Sequence, residues 1–203
     1  TRLFGTSEYD NGNELTTGNN GSIYIAGATR GSLHGQTNNT EQDAFISKIT
    51  VLFAPTDISL SASNFNENID ARNIVATLST TDVNAADSHT YTLASGTGDT
   101  DNALFTIEGN NLVINSSPDH ETKSSYSIRI NTIDSAGFSY EEAVTLSVND
   151  INDVATDISL SATSFNENIS SGEVVATLST TDEDASDFHT YRLASGTGDT
   201  DNA

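Results

Sequence analysis

The sequence predicts an all-β protein built from tandem β-sandwich modules, and three observations support that prediction. First, residues 56–68 return one hundred positions later, and 36 of the 49 positions from residue 55 to residue 103 are identical in the second copy. Second, the repeat consists of short alternating apolar and polar segments separated by Asn, Asp, Gly and Ser clusters, which is the pattern of strands and turns. Third, no segment has helical spacing. Self-similarity at a long period indicates tandem modules rather than one catalytic domain.

Seven strands are predicted in the complete repeat. Tyr126, Ile128 and Ile130 fall on one face of a strand whose other face is polar, so that strand has one dry face. Residues 96–102 form a turn cluster whose Asp and Asn side chains can bond nearby backbone amides. Seven short strands in a module of this size predict an immunoglobulin-like, two-sheet sandwich. The predicted strands lie near residues 58–62, 74–80, 90–94, 104–107, 112–114, 126–132 and 143–148.

The first fifty residues have a different texture. GSIYIAG from Gly21 and DAFISKI from Asp43 are two clear strands in Gly- and Asn-rich surroundings. Together with LFGTS near the start, this pattern resembles the bacterial β-propeller repeat family, in which each unit supplies one blade. We therefore expect residues 1–50 to be a partial propeller blade, 51–153 a complete sandwich and 154–203 a truncated second repeat, all within a longer protein.

The charge of the chain is unevenly distributed. The formal net charge is -22, yet residues 1–54 carry only five acids and three bases, so the repeats hold most of the negative charge. Such a surface repels nucleic acid and anionic lipid, whereas cations are its natural partners. A merely solubilising acidic surface is the alternative. The absence of cysteine excludes disulfides and zinc-thiolate sites, and no apolar run is long enough to insert into a membrane.

The acids of the repeat gather into four short motifs. They are NEN at residues 66–68, DHE at 119–121, NDIND at 149–153 and, in the next copy, TDED at 181–184. Hard divalent cations bind such oxygen clusters, and calcium takes about six to eight oxygens from carboxylates, amides and backbone carbonyls in irregular geometry. Each motif alone is equally compatible with an Asx turn in a solvated loop.

These four motifs resemble, in the same order, the cadherin motifs written PEN, DRE, DxNDN and DxD. In that family the motifs converge on the linker between consecutive modules and bind calcium there. The resemblance covers residues 54–203 and implies a cadherin-like sandwich with Ca²⁺ as its cofactor. The calcium ligands that it implies are Glu67, Asp119, Glu121, Asp150, Asn152, Asp153, Asp182 and Asp184, with the backbone carbonyl of Val154 as a further donor.

The sequence also departs from the family pattern. His120 stands where the family has an arginine that is not a ligand. The boundary before Pro55 lacks a DxND sequence, and the first copy has Asn84 where the second has an aspartate. We therefore expect no full calcium site at that upstream boundary. Asp134 matches a single-aspartate ligand of the family, but it would serve the upstream boundary and is expected to lack partners there.

The sequence argues against an enzyme. His89 and His189 occupy the same place in successive copies, and a residue repeated in every module is more often structural than catalytic. The leading hypothesis is a secreted or cell-surface protein whose calcium-rigidified modules serve adhesion or matrix contact, with surface proteins or glycans as partners. The alternatives are passive spacer modules of an exported enzyme and a carbohydrate-binding module.

Overall fold

The computed structural model describes residues 6, 8–19, 21–32, 37 and 42–202. Within those residues the chain forms thirteen strands and one short 3₁₀ turn at Asn102–Leu104. No helix in the described part has the length and apolar character needed to cross a bilayer. The strands are β1 (Asp10–Thr17), β2 (Ile23–Thr29), β3 (Asp43–Ile49), β4 (Asp57–Leu60), β5 (Asn64–Asn66), β6 (Ile74–Thr81), β7 (His89–Leu93), β8 (Phe105–Glu108), β9 (Asn111–Ile114), β10 (Ser125–Asp134), β11 (Ser139–Asn149), β12 (Asp157–Leu160) and β13 (Leu178–Thr181).

The first copy of the repeat is a two-sheet sandwich. One sheet has the strand order β5-β11-β10-β7 and the other has the order β4-β6-β9-β8. Every pairing is antiparallel except that of β5 with β11, which is parallel. The predicted fold class, an all-β sandwich, is confirmed.

The core lies between the inward faces of the two sheets. Ile128, Ile130 and Leu146 are fully buried, as the alternation along β10 and β11 predicts. Phe65 and Tyr126 stack with ring centroids 6.0 Å apart, and Phe105 meets the Tyr126 ring edge-on at 5.4 Å. Such offset and edge-to-face pairs stabilise a core beyond the area that they bury.

The structure adds one strand to the seven that the sequence predicts. β5 is only three residues long and joins its sheet by parallel pairing to β11. So short a segment shows too little alternation to stand out from the neighbouring loop. The predicted strand near residues 104–107 begins one residue late, because Leu104 belongs to the 3₁₀ turn.

The turn at residues 96–102 is confirmed, and its side chains also reach farther than predicted. The Asp99 carboxylate accepts a bond from the nearby Gly96 amide at 2.8 Å. By contrast, the amides of Ser127 and Arg129 on β10 donate to Asp101 and Asn102 at 2.8 and 2.9 Å. The turn is therefore fastened to a strand edge that is 26 residues away in sequence.

The N-terminal segment forms a three-stranded antiparallel sheet in the order β1-β2-β3. The two strands predicted from Gly21 and Asp43 are confirmed as β2 and β3. β1 was not predicted, because its sequence DNGNELTT is mostly polar. In the structure all of its residues but the first are exposed. The LFGTS motif lies mostly outside the described residues, and the assignment of this segment to a propeller blade stays a prediction.

The second copy repeats the local geometry of the first. β12 pairs with β13 in the register of β4 with β6, so that Asp157 faces Thr181 as Asp57 faces Thr81. In the described part of this copy these are the two strands that form, and several of its apolar side chains are exposed. The domain boundaries proposed from the sequence stay predictions.

Candidate metal centre

Strand pairing explains why motifs distant in sequence meet at one end of the sandwich. Glu67 follows β5 directly and Asp150 follows β11 directly. Because β5 and β11 run parallel, their carboxyl ends lie at the same edge of the sheet. The turn that carries Asp119 to Glu121 is tied to this edge, since the Asn68 amide donates to the Pro118 carbonyl at 3.0 Å. We call this end of the first copy, together with residues 181–184, the downstream boundary.

Glu67 is the buried centre of the downstream boundary. Glu67 is only 3% exposed. One carboxylate oxygen accepts the His120 amide and the other accepts the Ile151 amide, each at 2.6 Å. These two bonds, the His120 bond first, hold the pKa of the Glu67 carboxyl below its ordinary value. Glu67 therefore joins the DHE turn to the linker even before any ion binds.

Glu121 is the common member of the clusters of potential metal ligands at this boundary. It belongs to three sets whose ligand atoms lie within 4.8 Å of one another. Partial loss of water, followed by the charges of neighbouring carboxylates, raises the pKa of Glu121 above its ordinary value. Like charges held this close favour either a bound cation or a shared proton. The three sets are Glu67 with Asp119 and Glu121, His120 with Glu121 and Asp150, and Glu121 with Asp153 and Glu183.

The second copy contributes its own acids to this boundary. The Asp153 amide donates to the Asp184 carboxylate, and the Asn68 side-chain amide donates to the Asp153 carboxylate at 2.8 Å. The charges of Asp153 and then Asp119 raise the pKa of Glu183. The linker is therefore in contact with both copies through one aspartate.

Five of the predicted ligands belong to these sets, and the other three make different contacts. Asp182 instead places a carboxylate oxygen 2.8 Å from His189 Nε2. Asp184 is buried against the linker amide, and the Asn152 side chain donates to the Asp153 carbonyl at 2.6 Å. The five that come together are Glu67, Asp119, Glu121, Asp150 and Asp153. The ligand assignment as a whole stays a prediction.

Glu183 was missed by the sequence reasoning. The motif resemblance places ligands at alternate positions, Asp182 and Asp184, and so passes over the residue between them. The structure turns Glu183 toward Glu121 and Asp153. The only signal in the sequence was the unbroken acidic run at residues 182–184.

A second cluster of acids lies at the other end of the first copy. Carboxylate oxygens of Asp82, Asp87 and Asp134 lie within 4.8 Å of one another. Asp134 is 6% exposed, and one of its oxygens accepts the amides of Ala136 and Phe138 at 2.8 Å each. Its other oxygen is buried and has no hydrogen-bond partner among the described residues. The same is true of one oxygen of Asp87. We expected Asp134 to lack other potential metal ligands beside it at this upstream boundary. That expectation is wrong, because Asp82 and Asp87 lie next to it.

From the sequence, Asp134 was placed at the upstream boundary, but its neighbours Asp82 and Asp87 were missed because they lie about fifty residues away in the chain. The approach of β10 to β7 sets Asp134 opposite His89, close to the loop that follows β6. Asp87 had one sequence signal, since an aspartate recurs at position 187. His89 Nε2 lies 3.3 Å from Asp82, just as His189 lies against Asp182.

The two boundaries share one linker geometry and differ in charge. Asn84 accepts the Phe53 amide at 2.7 Å and donates to the Val51 carbonyl at 2.8 Å. The equivalent positions one hundred residues later are Asp184 and Asp153, which make the corresponding amide-to-side-chain bond. An asparagine thus holds the upstream linker without adding charge, whereas an aspartate holds the downstream one.

The lowered pKa of Glu67 predicts acid sensitivity. The ionised carboxylate stabilises the fold fully above its unfolded pKa of about 4.3, and that stability is lost as pH falls through the folded value. We expect the melting temperature to fall more steeply below about pH 4 in the parent chain than in Glu67→Gln. Thermal melts across pH 3 to 7 measure this, with exposed Glu173→Gln as the control. Equal pH slopes in all three proteins would contradict the role given to Glu67.

Comparisons with known proteins add a structural likeness. No family model matches the sequence, and no curated protein matches it. Among solved structures, PcdhgB3 EC1-4 is 20% identical with a TM-score of 0.47, over 80% of this chain and 40% of that one. Human Protocadherin-24 EC1-2 is 20% identical with a TM-score of 0.48, over 65% and 61%. The human Desmocollin-1 ectodomain is 14% identical with a TM-score of 0.40, over 66% and 29%.

Proposed function

We propose that this chain consists of extracellular, calcium-binding, cadherin-like modules in which calcium rigidifies the linker between consecutive modules for adhesion or matrix contact. The observation that carries the proposal is the convergence on one boundary of carboxylates from the module, the linker and the next copy. Glu121, Asp153 and Glu183 represent these three segments, and their ligand atoms lie within 4.8 Å of one another. The modules act by binding and spacing, without catalysis.

Electrostatics favours a cation at the downstream boundary. Glu121 and Glu183 both have raised pKa values in part because acids surround them, so their ionised forms repel in the absence of a counter-charge. The nearest described imidazole, His120, supplies at most one positive charge. Calcium suits a site of this kind, because it accepts many oxygen ligands in irregular geometry, whereas magnesium requires a tighter octahedron.

An ion in this position would change the mechanics of the linker. Residues 150–153 connect two β structures, and Asp153 contacts Asn68 on one side and Asp184 on the other. An ion that also bound Glu121 and Glu183 would cross-link both copies through the linker. Extracellular calcium modules typically have dissociation constants of about 10⁻⁴ to 10⁻³ M, so such a site would be filled outside cells and empty in cytosol. Surface proteins or glycans are the proposed partners, and the charge of -22 disfavours nucleic acid.

A calcium titration of the full chain tests the proposal. At 10 mM calcium, each site with such a dissociation constant adds about 1.4 to 2.7 kcal/mol to the free energy of unfolding. We expect a higher melting temperature and slower proteolysis at residues 150–155, both reversed by chelator. Asp153→Ala should reduce both effects, whereas Asp99→Ala, which alters only the turn at residues 96–102, should not. Melting and cleavage that ignore chelator would overturn the assignment.

A further inference from the structure

The imidazole of His120 is held in one orientation beside the acidic cluster. Its Nδ1 lies 2.9 Å from the Val148 carbonyl oxygen. A carbonyl can only accept, so Nδ1 carries the proton and donates, and the neutral ring keeps its lone pair on Nε2. The backbone amide of the same residue is fixed by its 2.6 Å bond to Glu67. Both the main chain and the ring of His120 are therefore anchored.

Two carboxylates accompany this ring. A ring nitrogen of His120 and one oxygen each from Glu121 and Asp150 lie within 4.8 Å of one another. Val148 lies near the end of β11, and Asp150 is the first residue after that strand. The same strand end therefore anchors the ring and positions one of the acids. Histidines that bind metal almost always donate their other ring nitrogen to a carbonyl or carboxylate, which fixes the tautomer and the ring orientation. The bond from His120 Nδ1 to the Val148 carbonyl is of this kind, and it leaves Nε2 as the ring nitrogen with a free lone pair.

We propose that His120, Glu121 and Asp150 form a binding site for a borderline divalent transition metal such as Zn²⁺. Imidazole nitrogen is a preferred donor for zinc, copper and nickel, whereas calcium prefers oxygen. One nitrogen and two carboxylates supply three protein ligands, and water completes the shell of an open zinc site. The site is separate in chemistry from the proposed calcium function, but it shares Glu121 and Asp150 with it. Zinc and calcium therefore compete at this boundary.

Zinc titration of the full chain by calorimetry, in calcium-free buffer and in 5 mM calcium, tests the site. Replacing His120 with glutamine should weaken zinc binding at least about tenfold, since loss even of a supporting group typically costs ten- to hundredfold. Zinc affinity of the parent chain should fall when calcium is present. Exposed Glu173→Gln, which lies outside all of the acidic clusters, is the control and should bind zinc like the parent.

Electron paramagnetic resonance with Cu²⁺ gives a second readout that reports the ligand atoms directly rather than an affinity. The parent chain should show coupling to one imidazole nitrogen, and His120→Gln should lose it. Absence of zinc binding by the parent, or parental affinity in His120→Gln, would overturn the site and show that His120 serves only as a charge partner of its acidic neighbours. A parent chain that binds zinc but ignores calcium would instead contradict the proposed function and leave this site intact.

Discussion

Replacing Glu121 with glutamine is expected to remove most of the calcium response of the downstream boundary. Glu121 contributes an oxygen to all three ligand sets there, whereas every other member of those sets belongs to one. Because carboxylate count sets calcium affinity in sites of this kind, we expect the dissociation constant to rise by at least about tenfold. Calorimetric calcium titration measures the loss, with exposed Glu173→Gln as the control.

The same substitution should leave the calcium-free protein at least as stable as the parent. The folded-state pKa of Glu121 is raised, so its ionised form is disfavoured in the fold, and stability rises as pH falls through that folded pKa. A neutral glutamine removes both the repulsion and this pH dependence. If Glu121→Gln kept parental calcium affinity, the ions would have to bind elsewhere, and if it destabilised the calcium-free chain, Glu121 would be a structural residue rather than a ligand.

The parts of the fold that sequence predicts are those encoded by local alternation. Ile128 and Ile130 are buried because they share one face of β10, and that face can be read from the sequence without knowing what covers it. β5 could not be found in this way, since its existence depends on pairing with β11, which lies some eighty residues downstream. Strand pairing at that separation is a tertiary property.

The same distinction between local pattern and tertiary structure applies to the candidate site. Glu67 and Asp119 were predicted from motifs, and the structure brings them together with Glu121. Motif spacing fixes which residues reach a boundary but not the direction of each side chain. For that reason Glu183 joins the cluster while Asp182 turns to His189. The tautomer of His120 likewise depends on a carbonyl 28 residues away, which no local pattern encodes.

Asp134→Asn is expected to stabilise the calcium-free protein, which reverses the usual effect of altering a buried residue. Asparagine keeps an oxygen to accept the Ala136 and Phe138 amides, and its amide group replaces the buried oxygen that has no hydrogen-bond partner among the described residues. That amide can donate to Asp82 or Asp87, whose carboxylates lie within 4.8 Å. At an effective dielectric constant near 20, one ionised pair at this separation repels by about 3 kcal/mol before relaxation, so a gain on the order of 1 kcal/mol is expected.

Thermal melts at pH 7.5 in chelator and in calcium test whether Asp82, Asp87 and Asp134 hold a cation. If the three carboxylates hold a cation, calcium should stabilise the parent more than Asp134→Asn, and the order of stability in chelator should invert as calcium is added. If they hold no cation, calcium should change neither the order of the melting temperatures nor the difference between them. Exposed Asp70→Asn is the control and should follow the parent in both buffers. A less stable Asp134→Asn in chelator would contradict this prediction and show that the ionised carboxylate stabilises the fold, through its two amide bonds or through a positive group.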